Sequence, residues 1–130
     1  MNWVHLIALL ALLQYLYFGF QVGMARKQYG VKAPATTGHE GFERAYRVQM
    51  NTLEQLVVFV PALLLAGQYW SQPWVAGIGA VYLLGRFIYG AAYRRDPARR
   101  ATGFLLTLAA SALLLLLALL GALRGLPAPI

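Results

Sequence analysis

The chain contains no cysteine, and only four of its side chains are carboxylates. The first absence excludes disulfides, thiolate metal sites and a cysteine nucleophile. Its two histidines, His5 and His39, stand far apart, so no histidine metal cluster is expected. Charge as a whole is scarce: 12% of residues are charged, against about 25% in an ordinary soluble domain. What fills the chain instead is apolar, 60% of its 130 residues. That balance points to an integral membrane protein of one domain. In a soluble protein a net charge of +7 would suggest a nucleic-acid partner. Here the basic residues sit at the ends of apolar runs, where positive charge retained on the cytoplasmic side explains them. No nucleic acid is expected.

A transmembrane helix needs about 20 mostly apolar residues. Four stretches qualify: residues 3–25, 42–68, 73–93 and 101–123. The expected fold is all-α, a bundle of four transmembrane helices. The first stretch lacks a basic leading region, is long, and has no small-residue cleavage site after it, so it reads as a span rather than a cleaved signal. The connections differ in charge. The first carries Arg26, Lys27 and Lys32, and the third reads RRDPARR (94–100), whereas the second, QYWSQPW (68–74), has none. The basic loops are therefore expected in the cytoplasm and both termini outside. Trp3, Tyr69, Trp70 and Trp74 then fall at the outer boundary, where aromatic side chains collect. The first loop, GVKAPATTGHEG, reads as irregular chain. Pro61 is expected to kink the second helix, and Pro97 to end the third.

The second span is not uniformly apolar. At 100° per residue, Arg44, Arg47, Asn51, Glu54 and Gln55 share one arc of roughly 100°. Ionisable groups inside a span are costly and mark function by default. The alternative is a structural clamp, such as an Arg47–Glu54 pair. The third span carries a second stripe, Tyr82, Arg86, Tyr89 and Tyr93, at the 4-3-4 spacing of one helix face. Interfacial tyrosines are the plainer explanation for Tyr93, though Tyr82 and Arg86 lie deeper. Together the stripes offer guanidinium forks for carboxylates, phenol hydroxyls, and a carboxylate for an amine. The complementary ligand is a small, flexible molecule with several carboxylates and an ammonium group. A tripeptide has that chemistry.

At these residues the chain resembles the MAPEG family, the membrane-associated proteins in eicosanoid and glutathione metabolism. The segments QVGMARK, TTG, FERAYRVQMNTLE and VYLLGRFIYGAAYRR carry the resemblance, which spans about residues 20–100 and is nearest to the leukotriene C synthase and microsomal glutathione transferase branch. It implies one MAPEG-like membrane domain over residues 1–130, assembled as a homotrimer with glutathione held between subunits. Carried over by motif position, the glutathione contacts are Arg26, Arg47, Gln49, Asn51, Glu54, Tyr89 and Tyr93. Arg100 takes the place of the arginine that stabilises the glutathione thiolate and is the catalytic candidate. Lys27, Gln55 and Arg86 are accessory candidates. Lys27 and Gln55 depart from the leukotriene C synthase pattern, which has an arginine and a tyrosine there; lysine does not reproduce a bidentate fork. The implied activity is transfer of glutathione, as co-substrate, to lipophilic electrophiles, with glutathione-dependent peroxide reduction as a related activity. A non-catalytic lipid-binding scaffold of the same family is the alternative. A small four-span exporter ranks lower, because such exporters use a carboxylate in the first span and this one has only Gln14 and Gln21. The Ala, Leu, Gly and Arg bias suggests a bacterial inner membrane.

Overall fold

The computed structural model describes residues 1–125. They form α1 (Trp3–Tyr29), α2 (Glu40–Tyr69), α3 (Gln72–Arg95) and α4 (Ala101–Arg124), with a 3₁₀ turn at Pro97–Arg99. There is no strand among the described residues. All four helices are long and apolar enough to cross a membrane, so the all-α, four-span expectation holds. At the basic end α1 continues to Tyr29 and α3 to Arg95, beyond their apolar runs. Hydropathy marks where hydrocarbon ends, while a helix continues until its backbone is capped.

The caps are local and readable. Asn2 Oδ1 accepts from the His5 N–H at 3.0 Å to open α1. Gly30 closes it at φ 69°, a left-handed conformation that suits glycine. His39 Nδ1 accepts from the Gly41 N–H at 2.9 Å to open α2, and its ring stacks on Tyr29. His39 is thus a capping residue. Pro61 does not end α2, which continues as one element to Tyr69. Pro73 lies in the first turn of α3, where the missing N–H costs nothing. Residues 30–39 form no helix or strand.

Two residues connect α2 to α3, so these helices run antiparallel. Both α2 and α3 pack on each other, on α1 and on α4, which leaves α1 and α4 at opposite corners. The interior combines small, branched aliphatic and aromatic residues. Ala11, Ala62, Ala66, Leu63 and Leu114 are buried, and Phe59 stacks on Tyr82 at 3.7 Å. Small residues let membrane helices approach closely, because lipid supplies no hydrophobic drive to bring them together. The leucines of α1 and α4 cover the outside, with Leu9, Leu16, Leu105 and Leu119 exposed toward lipid.

The closest approach is between α3 and α4. A Cβ at Gly85 would sit 2.9 Å from Thr107 N, and one at Gly103 would strike the Tyr89 backbone. Gly103→Ala should therefore force these helices apart and cost about 1–3 kcal/mol, the usual overpacking range. A thermal melt in detergent checks this; Gly77→Ala, with open space around its Cβ position, is the matched control and should melt within about 2 °C of wild type.

Candidate functional site

The basic end of the bundle holds a cleft of about 730 Å³. Arg47 and Asn51 reach it from α2, Tyr89 and Tyr93 from α3, and Arg100 and Phe104 from the start of α4. Five of the eight residues assigned to glutathione by motif thus come together in one protomer. They are drawn from residues 47 to 100, and the antiparallel order of α2, α3 and α4 brings them to one end.

The floor is aromatic. Tyr89 and Tyr93 stack with centroids 5.5 Å apart, and Tyr89 lies against Phe104. Tyr89 and Asn51 are buried, at 2% and 8% exposure, while Arg47 and Arg100 are exposed at the rim. The rim is therefore cationic and wet, and the floor is firm.

The turn at residues 96–100 sets Arg100. Asp96 Oδ1 accepts from the Ala98 N–H at 3.1 Å, which caps the turn that Pro97 opens. Arg100 Nη1 donates to the Pro97 carbonyl at 2.9 Å, and the Arg100 carbonyl accepts from the Phe104 N–H to begin α4. Arg100 occupies the N-cap position of α4 without a side-chain capping bond. The first turn of that helix therefore has no side-chain cap, and a helix N-terminus favours negative charge.

The other motif residues lie elsewhere in the protomer. Glu54 Oε1 accepts from Arg47 Nη2 at 3.2 Å, one turn of α2 beyond Asn51, with the two side chains 59% and 49% exposed. Arg26 donates to the Ala35 carbonyl at 2.8 Å and lies over the Phe42 ring. Gln49 packs against Gly19 of α1. Lys27 is exposed and Gln55 half-buried, and neither lines the cleft. Arg44, on the same stripe as Arg47, pairs with Glu40 and donates to the Arg94 and Arg95 carbonyls at 3.3 and 3.1 Å. It ties α2 to the end of α3 and does not face the cleft.

Arg86 is fully buried behind the floor and does not line the cleft either. Its partners Thr52 and Thr107 are not among the residues that the sequence pattern marks. Neither is Phe104, the α4 wall of the cleft. The available signal was slight: Thr107 is one of three hydroxyl residues in an otherwise apolar span. No group of three metal-ligating side chains occurs among the described residues.

Fold and site together define a four-helix integral membrane protein with a cationic, tyrosine-floored cleft at one end. The sequence profile of the MAPEG family matches residues 4–120, and the chain belongs to that family. It is 42% identical to human microsomal glutathione S-transferase 2 over 115 residues, covering 88% of this chain and 78% of the relative. It is 39% identical to guinea-pig (Cavia porcellus) leukotriene C4 synthase over 115 residues, covering 88% and 77%. An uncharacterized protein of Synechocystis is 48% identical over 118 residues, covering 91% and 86%.

Proposed function

We propose that the protein is a glutathione transferase of the membrane, conjugating glutathione to lipophilic electrophiles that arrive through the bilayer. The observation that carries this reading is the convergence of Arg47, Asn51, Tyr89, Tyr93 and Arg100 on one cleft. Relatives named as glutathione transferases, about 40% identical, supply the co-substrate. Arg47 and Asn51 would hold carboxylate and peptide oxygens. Arg100 and the free end of α4 would face the sulfur. A free thiol has a pKa near 8.5, so only a few per cent is thiolate at neutral pH. A guanidinium and a helix N-terminus both favour the anion. The thiolate then forms a carbon–sulfur bond to the electrophile as the leaving group departs, and the thiol proton goes to solvent at the open rim. Reduction of a lipid hydroperoxide by two glutathiones, giving alcohol, water and disulfide, would draw on the same thiolate. In this reading the first and third loops face the cytoplasm, as in a bacterial inner membrane, and both termini lie outside. Turnover of a chloronitrobenzene by purified protein tests the transferase reading. Glutathione binding with no turnover of any electrophile or hydroperoxide would favour the scaffold reading instead.

The working unit in this proposal is a homotrimer. Arg47 and Glu54 are half-exposed on a face of α2 that would otherwise meet lipid, and such charge is costly there. Arg26 and Gln49 lie outside their own protomer's cleft; subunit contacts are where the resemblance puts glutathione. Native mass spectrometry from mild detergent should show three chains together, retaining glutathione. A monomer that binds glutathione as tightly would contradict the shared site.

A further inference from the structure

Arg86 is a cation buried in the middle of the bundle with no carboxylate against it among the described residues. Nε and Nη1 donate to neutral oxygens, whereas Nη2 has no hydrogen-bond partner among the described residues. Nη1 donates to Asn51 Oδ1 at 2.8 Å and to Thr52 Oγ1 at 3.3 Å, both on α2. Nε donates to Thr107 Oγ1 at 3.0 Å on α4. The guanidinium carbon lies 4.3 Å from the centroid of the Tyr89 ring. Each threonine hydroxyl spends its own proton on a backbone carbonyl, Thr52 on Val48 and Thr107 on Gly103, both at 2.8 Å. That leaves their lone pairs for Arg86, so the whole network has one polarity.

The polarity reaches the cleft. A guanidinium has five donors and no acceptor. Only the carbonyl oxygen of Asn51 can face it, and the amide nitrogen must take the other side. Asn51 lines the cleft, as does Tyr89, the ring over which the guanidinium lies. We infer that Arg86 is a positioning residue: it turns the Asn51 amide so that Nδ2 faces the cleft, making Asn51 an obligate donor that reads a carboxylate or carbonyl oxygen of the ligand. Arg86 itself never touches the ligand. Its role is to fix what a buried asparagine, free to flip, would leave ambiguous. This deepens the glutathione reading above and rests on it for the identity of the ligand.

Two variants separate positioning from support of the fold. In Asn51→Asp a carboxylate oxygen faces Arg86 and a second faces the cleft. The melting temperature should hold or rise, because the buried cation gains a counter-charge. Glutathione affinity, measured by calorimetry on the detergent-solubilised protein, should fall at least about 30-fold, because a donor has become an anionic acceptor. Stable Asn51→Asp protein with near-normal affinity would overturn the inference. Arg86→Lys keeps the charge without the fork and should weaken binding about tenfold. In an Asn51→Ala background the same change should matter less than about twofold, since its effect runs through Asn51. A tenfold effect persisting there would overturn it as well. The Asn51 side-chain amide signals in ¹⁵N spectra of ligand-free protein give a readout that does not need glutathione. They should be narrow in wild type and shift and broaden in Arg86→Lys; signals indifferent to Arg86→Lys would refute the coupling. Wild type that fails to bind glutathione would sink the ligand assignment, and the amide signals would still decide the role of Arg86.

Discussion

Arg47→Ala should weaken glutathione binding by tens of fold, while Arg94→Ala and Arg95→Ala should change it less than about threefold. All three are cations at the same end of the bundle, so diffuse attraction cannot separate them. Geometry does. Arg47 lines the cleft beside the buried Asn51, whereas Arg94 and Arg95 are exposed away from it. A hydrogen bond to a charged group is worth about 1.5–3 kcal/mol, or roughly 10- to 150-fold in affinity. Exposed charges acting at a distance are screened within about 8 Å at physiological salt. Calorimetric titration in 150 mM salt measures both effects. Equal losses from Arg47→Ala and Arg94→Ala would show that only net charge matters. Loss of Arg47 also leaves Glu54 without its ion-pair partner, so the drop belongs to the pair.

The contrast between Arg44 and Arg47 shows how far sequence alone reaches. Helical periodicity correctly places both on one stripe of α2. It does not say which neighbour occupies that stripe at each level. At Arg44 the neighbour is the end of α3, whose last carbonyls accept from it. One turn on, at Arg47, the neighbour is the open cleft. The same limit applies to the second stripe. Tyr82, Arg86, Tyr89 and Tyr93 do share a face of α3, but Arg86 is sealed beneath Tyr89 by threonines from two other helices. The four spans were legible because hydrocarbon imposes a minimum apolar length on each. The distribution of stripe residues between cleft and interior depends on packing partners distant in sequence. Arg26 and Gln49 come from the family motif, not from any pattern of spacing, and neither lines the cleft of its own protomer.

Arg100→Ala should lower turnover at pH 7 by about tenfold while leaving glutathione affinity within a few-fold. Arg100 is anchored to its own turn and stands at the rim rather than on the floor, so the carboxylate contacts survive its loss. What goes is the cation assigned to the sulfur. Each pKa unit of thiol acidification is worth about 1.4 kcal/mol, or tenfold in thiolate fraction below the pKa. Removing the guanidinium should raise the bound thiol toward its free value, so the thiolate fraction at pH 7 falls. The rate should then recover as pH rises past 8.5, where even an unassisted thiol ionises. Rate against pH for a chloronitrobenzene checks the sign. A loss that stays constant across pH would mean that Arg100 acts on the electrophile or on packing instead.

In the proposed enzyme this cleft binds glutathione and holds its sulfur as a thiolate. Thiolate absorbance near 240 nm, followed from pH 5 to 10 with glutathione bound to the wild-type protein, tests it without any electrophile. The titration midpoint should lie at least about one unit below the free value near 8.5, moving back toward it in Arg100→Ala. A bound thiol that titrates at its free value in both proteins would show that the cleft does not hold the sulfur as a thiolate.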